Sequence, residues 1–236
     1  MDLIHQYLRR HGFEAFDPKA VLFDMDGVLY DSMPHHAVAW RESMAQFGIC
    51  MTEADAYATE GARGIDTIRQ MVKKQKGKDI SFAEAQRMYD VKSNLFHSMG
   101  DAEIFDGVID FMQKIRMKGM VVGVVTGSGQ LPLIHRLMDD FGEFLDERHI
   151  VTAYDVEKGK PNPDPYLMGL RKCGNLQPWQ GIVVENAPLG VRAGVAARCF
   201  TIAVNSGPLP DKELAEADVI FHRMTELVDV FEKIVD

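Results

Sequence analysis

The chain has 236 residues, enough for a main domain carrying a smaller insert but short of two full domains. Hydrophobic residues make up 46% and charged residues 26%, which is ordinary globular usage and excludes long disordered or low-complexity tracts. With 26 Lys and Arg against 35 Asp and Glu, the net charge of −9 argues against a nucleic-acid partner. A small anionic substrate stays possible, because a metal ion, a lysine and backbone N–H groups reverse the field locally.

In chain order, residues 1–17 read as an amphipathic helical appendage. The opening MDLIHQYLRR mixes charges into its apolar positions and has no signal-like hydrophobic core, and no run approaches a membrane span. A cytoplasmic protein without a membrane partner is expected. AVLF (20–23) is a buried-type strand that ends in DMDGVLYDS. Residues 33–99 show helical periodicity in HHAVAWRESMAQFG, GIDTIRQMVKKQ and SFAEAQRMYDVKSNLF, and this segment is far longer than one crossover helix requires, so it is assigned to an all-helical insert. The core, 18–32 and 100–236, resumes near Phe105 with the strands MVVGVVT (120–126), HIVT (149–152), GIVVE (181–185) and FTIAV (200–204). Continuous apolar strands alternating with helices predict an α/β fold with a Rossmann-like parallel sheet.

Smaller features receive structural readings. Cys50, Cys173 and Cys199 are odd in number and lack metal-ligand spacing, so they read as reduced packing residues. Met44, Met71, Met88 and Met112 sit on apolar helical faces as core filler. KKQKGK (73–78) reads as a solvated helix end. Nothing sets an oligomeric state, and a monomer suffices.

In a parallel sheet, ligands bind beyond the carboxyl ends of the strands, so polar residues that follow apolar runs carry the chemistry. Asp24 and Asp26 stand two apart in one loop, where burial and mutual repulsion call for a cation or a proton. They read as nucleophile and acid/base. Thr126, Gly127 and Ser128 offer a hydroxyl and free N–H groups at a helix start, suited to phosphate oxygens. Lys160, in the rigid EKGKPNPDPY, can neutralise a carboxylate and a phosphate together. Glu185 and Asn186 end the GIVVE strand with oxygen donors suited to Mg²⁺.

Taken in this order, DMDGVLYDS, TGS, KGKPNPDPY and ENAPLG resemble the haloacid dehalogenase superfamily of phosphotransferases, in its helical-cap subgroup of β-phosphoglucomutase-like enzymes and small-molecule phosphatases. The resemblance implies an aspartyl phosphate on Asp24, proton transfer by Asp26, and a phosphoryl group held by Thr126 and Lys160. Mg²⁺ would be held by Asp24, the backbone carbonyl of Asp26, Glu185 and Asn186, directly or through water. The family usually has Asp where this chain has Asn186, which implies weaker metal binding or help from a highly charged substrate.

The stretch ATEGARGIDTI aligns with the cap loop that grips the distal phosphate of a sugar bisphosphate in β-phosphoglucomutase. Glu60 and Gly64 stand where basic residues are usual, and Arg63 lies one position early. A compact, metal-chelated substrate suits Glu60 better than a sugar bisphosphate, with Arg63 available to a leaving phosphate. The expectation is therefore a Mg²⁺-dependent phosphohydrolase acting on inorganic pyrophosphate or a small phosphomonoester. A β-phosphoglucomutase is the alternative, kept open by His36, which stands at a hinge position beside Asp26, and by Ser32; a non-catalytic binding module is the second alternative.

Overall fold

The computed structural model describes residues 3–129 and 131–235. Six parallel strands, β1 (Ala20–Phe23), β2 (Val121–Val125), β3 (Leu145–Val151), β4 (Gly181–Glu185), β5 (Phe200–Val204) and β6 (Val219–Phe221), lie in the order β3-β2-β1-β4-β5-β6. Every residue of β1, β4 and β5 is buried, which explains their unbroken apolar sequences. Val21 and Phe23 of β1 face a cluster containing Phe111 of α6 (Val108–Met117), Leu137 of α7 (Leu131–Phe141) and Phe231 of α10 (Met224–Val235). Ala20 and Leu22 face Tyr166 and Leu170 of α8 (Asp164–Lys172) and Ala193 of α9 (Pro188–Ala196). The sheet is therefore covered on both sides, as the α/β reading requires.

Because β1 pairs with both β2 and β4, the strand order turns at the centre of the sheet. The carboxyl ends of these three strands form the crevice in which such sheets bind ligands.

Four helices, α2 (Met33–Ala45), α3 (Glu53–Ala58), α4 (Gly64–Lys76) and α5 (Phe82–His97), intervene between β1 and α6. They share a cluster of their own that includes Trp40, Met44, Ile68, Met71 and Met88. Thr52 and Asp55 form a reciprocal cap on α3, Ser81 and Glu84 do the same on α5, and Gly77 closes α4 in the left-handed conformation. The chain enters and leaves this insert side by side. Asp31 N–H donates to Glu103 O at 2.8 Å, and Tyr30 bridges Ile104 antiparallel.

α1 (Leu3–His11) packs on the core through Tyr7, whose ring lies edge-on to Phe16 and Phe200 and whose hydroxyl donates to Arg198 O at 2.8 Å. Residues 1 and 2 of the expected appendage lie outside the described residues. Among the described residues no helix is long and apolar enough to cross a membrane.

The sequence reading missed β6 and α3 and shortened β3. β6 has three half-buried residues, too few to carry a period. β3 is an edge strand whose centre, Glu147 and Arg148, is exposed, so only its apolar end reads as strand. Cys173 and Cys199 are buried as expected, whereas Cys50 is exposed and does not act as packing.

Candidate active site

Asp24 is the first residue beyond β1, and its N–H donates to Val184 O at 2.9 Å, tying it to the end of β4. The turn that follows is closed by Gly27 N–H to Tyr30 O at 2.8 Å. Gly27 has φ +77°, and a Cβ there would stand 2.0 Å from Asn186 Nδ2, so only glycine fits.

Lys160, on the loop before α8, aims its ammonium at three acceptors. These are Asp24 Oδ1, Val125 O at 3.0 Å and Glu185 Oε1 at 2.7 Å. Burial would lower the lysine's pKa, but the two carboxylates beside it keep it charged. Burial pushes the Asp24 carboxyl up to about 7, an effect only partly offset by the Lys160 charge.

Glu185 is fully buried. Its Oε1 also accepts from the Tyr166 hydroxyl at 2.6 Å, and its Oε2 accepts from the N–H of Asn186 at 3.1 Å. Both oxygens are thus committed to protein donors. Glu185 Oε1 meets Lys160 and Tyr166 together.

Asp26 faces a different set of groups. Ser32 Oγ donates to its Oδ1 at 2.6 Å, and His36 Nε2 lies 3.1 Å from the same oxygen. Lys92 Nζ lies 2.6 Å from His36 Nδ1 and sits over the rings of Trp40 and Phe96. A charged Lys92 donating to Nδ1 leaves the imidazole proton on Nε2, which lies close to Asp26 Oδ1 without hydrogen-bond geometry. Burial alone would raise the Asp26 pKa, yet His36, Ser32 and Lys92 hold it down at about 2. Burial pushes Lys92 itself down to about 7.

Glu60, between α3 and α4, reaches across to the core and accepts from Asn186 Nδ2 at 2.8 Å. Burial, and then the nearby Asp24 charge, push its carboxyl well above the usual range. Asp24, Asp26, His36, Glu60, Gly127 and Ser128 line one cavity of about 60 Å³, together with Thr67, Tyr89 and Lys92. Thr126, Lys160 and Arg63 line an adjoining cleft, and Thr126 Oγ1 accepts from Ser128 N–H at 3.0 Å. Arg63 does not join the cavity. Its Nε binds Asp66 at 2.7 Å, and the early placement of this residue turns its stem onto Gly159.

Lys92 and Tyr166 are the residues that sequence reasoning missed. For Lys92 a signal existed, since it shares one face of α5 with the buried Ala85, Met88 and Phe96, a place where a lone lysine is costly unless used. Tyr166 ends the KPNPDPY motif, where its aromatic ring reads as core.

The oxygen donors fit a magnesium ion. Glu60 Oε2 and Asn186 Oδ1 are buried with no hydrogen-bond partner, beside the Asp24 carboxylate, and oxygen-only sets suit hard cations. Among the described residues no cluster of three His, Cys, Asp or Glu side chains has metal-holding geometry, so amide and backbone oxygens have to complete the set.

A Rossmann-like sheet with two Asp residues, a buried lysine and oxygen donors at its central strand ends defines a phosphoryl-transfer class. Residues 18–198 match the sequence model of the haloacid dehalogenase-like hydrolases, and the chain belongs to that family. It is 32% identical to hexitol phosphatase A of Escherichia coli, over 89% of this chain and 93% of that protein. It is 24% identical to the β-phosphoglucomutase of Bacillus subtilis, over 89% and 91% of the two chains. A solved β-phosphoglucomutase candidate from Bacteroides vulgatus superposes with a TM-score of 0.93 at 45% identity, covering 98% of this chain and 95% of that one.

Proposed function

We propose that the protein is a Mg²⁺-dependent phosphohydrolase whose substrate is compact, with inorganic pyrophosphate as the best fit. The observation that carries this reading is the cavity. At about 60 Å³ it holds the equivalent of a few waters, whereas sites for larger ligands run to about 300 Å³ or more. Glu60 lines the cavity beside Asn186 and is disposed toward a cation rather than toward a distal sugar phosphate.

In this reading an Asp24 carboxylate oxygen bonds to phosphorus as the bond from phosphorus to the leaving phosphate oxygen breaks. The Thr126 hydroxyl and the Gly127 N–H hold the phosphoryl oxygens, and the Lys160 charge, kept beside Asp24, offsets theirs. Asp26, held ionised by His36 and Ser32, then takes a proton from the water that attacks the aspartyl phosphate, and Asp24 is released. A leaving phosphate is a weak base that needs little protonation, whereas an alkoxide requires a full proton, so an ionised Asp26 favours an anhydride. Asp24, the Asp26 carbonyl, Asn186 and Glu60 would hold Mg²⁺, which supplies charge shared between nucleophile and substrate when bound.

The contact of His36 with Asp26, together with the likeness to β-phosphoglucomutases, favours one second reading, in which a sugar hydroxyl replaces water. The deciding assay offers the purified protein Mg²⁺ with pyrophosphate, small sugar phosphates, and β-glucose 1-phosphate primed with glucose 1,6-bisphosphate. Rapid phosphate release from pyrophosphate is expected. Efficient glucose 6-phosphate formation with little free phosphate overturns the hydrolase in favour of the mutase.

A further inference from the structure

The loop joining α3 to α4 meets the core along a seam of glycines. The carbonyl oxygens of Gly61 and Ala62 each lie 3.0 Å from where a Cβ on Gly127 would stand. Beside them, Arg63 Cγ lies 2.9 Å from the Cβ position of Gly159. At the start of the loop, Glu60 reaches Asn186 at 2.8 Å. One short loop thus touches the segments that follow β2, precede α8 and follow β4.

We propose that Gly127 is a positioning residue for Glu60: by presenting no side chain, it lets the Gly61 and Ala62 carbonyls settle on the core, and this settling brings Glu60 to Asn186. The two contacts at Gly127 are backbone atoms, held in place by Ala62 N–H to Thr59 O at 3.3 Å and by Thr67 N–H to Arg63 O at the start of α4. They cannot rotate aside. The contact at Gly159 is the Arg63 stem, held through Nε to Asp66, which has to give by side-chain torsion while the loop backbone stays in place.

A methyl group at 127 therefore has to lift the loop by a few tenths of an ångström. A 2.8 Å hydrogen bond stretched by that much moves to the long, weaker end of its range. Glu60 would then keep its desolvation while its bond from Asn186 weakens, so the docked loop becomes less favourable. Gly127 does not occupy the left-handed region, so alanine there meets no torsional strain, and it keeps the N–H that a phosphate would use.

The consequence for turnover rests on the phosphohydrolase reading, but the seating of the loop does not. The test therefore has two arms on the full chain. In the first, amide hydrogen exchange is read without substrate. Gly127→Ala should make residues 59–63 exchange about tenfold faster, with β2 unchanged, whereas Gly159→Ala should stay within about twofold of the parent. Gly159→Leu, a wedge too large for the arginine to accommodate, should speed the same residues, and it decides the matter if Gly127→Ala fails to fold.

In the second arm, kcat/KM for pyrophosphate should fall about ten- to a hundredfold in Gly127→Ala, yet by less than about threefold when Glu60→Ala is already present. Parent-like exchange at 59–63 in the folded Gly127→Ala variant, or full multiplication of the two losses, overturns the proposal. If the parent fails to cleave pyrophosphate, the hydrolase reading falls, and the exchange arm still decides the seat.

Discussion

Lys160 directs each of its three N–H bonds at a protein acceptor, two of them carboxylates, and is therefore fixed before any substrate arrives. Its orientation depends on Glu185, which Tyr166 holds from behind. Tyr166→Phe is expected to lower stability by about 2 kcal/mol in urea melts and kcat by about tenfold, because a buried carboxylate loses a donor. Asp24→Asn should reduce turnover by at least about a thousandfold in a phosphate-release assay, while keeping the fold. Lys92 gives a prediction with a sign. Its pKa is lowered to about 7, so between that value and its ordinary one the unfolded chain binds more protons, and stability rises with pH. The penalty of burying Lys92 is largest below pH 7 and fades above it. Lys92→Met should therefore raise Tm more at pH 6 than at pH 9, while lowering activity, and an equal gain at both pH values would count against a buried charge. Asp24, Asp26, Lys160 and Asn186 were legible because each stands in a compact motif. Lys92 left a signal in its apolar helix face, but its role was not legible, because its partner His36 lies 56 residues away and only folding joins them.

The strands that position these residues were read from continuous apolarity, and this works where both faces of a strand are covered, as in β1, β4 and β5. It fails at the sheet edges. There β3 carries a run of charge from Asp146 to Arg148 and β6 is only half-buried, so neither shows the signature of the central strands. The helices of the insert were legible by period, and their ends are set by side chains. Ser81 accepts from Glu84 N–H at 3.2 Å, and Glu84 returns the bond to Ser81 N–H at 3.1 Å. Ser81→Ala should cost about 1 kcal/mol in denaturant melts and leave kcat unchanged, since this cap is remote from the cavity.

Across the whole molecule, core and insert are joined at Asn186 and Glu60, an amide facing an acid. Asn186→Asp would set two carboxylates against each other. The metal-free protein should then melt at a lower temperature than the parent, and Mg²⁺ should raise its Tm by more than it raises the parent's, as differential scanning calorimetry would read. An unchanged response to Mg²⁺ would remove residue 186 from the metal shell. The general plan of a parallel sheet interrupted by a helical segment was visible in the spacing of apolar runs. The docking of the insert was not, because it depends on backbone-to-backbone approach at Gly127 and on a hydrogen bond spanning 126 residues.

The paired crossing at Tyr30 and Ile104 has an evolutionary corollary. Where a polypeptide leaves and rejoins a scaffold at adjacent points, the intervening piece can be exchanged without disturbing the scaffold's own order of strands. A chimaera carrying the corresponding helices of a relative with a different substrate should still fold around the same sheet, and should inherit the donor's choice of leaving group while retaining the recipient's chemistry.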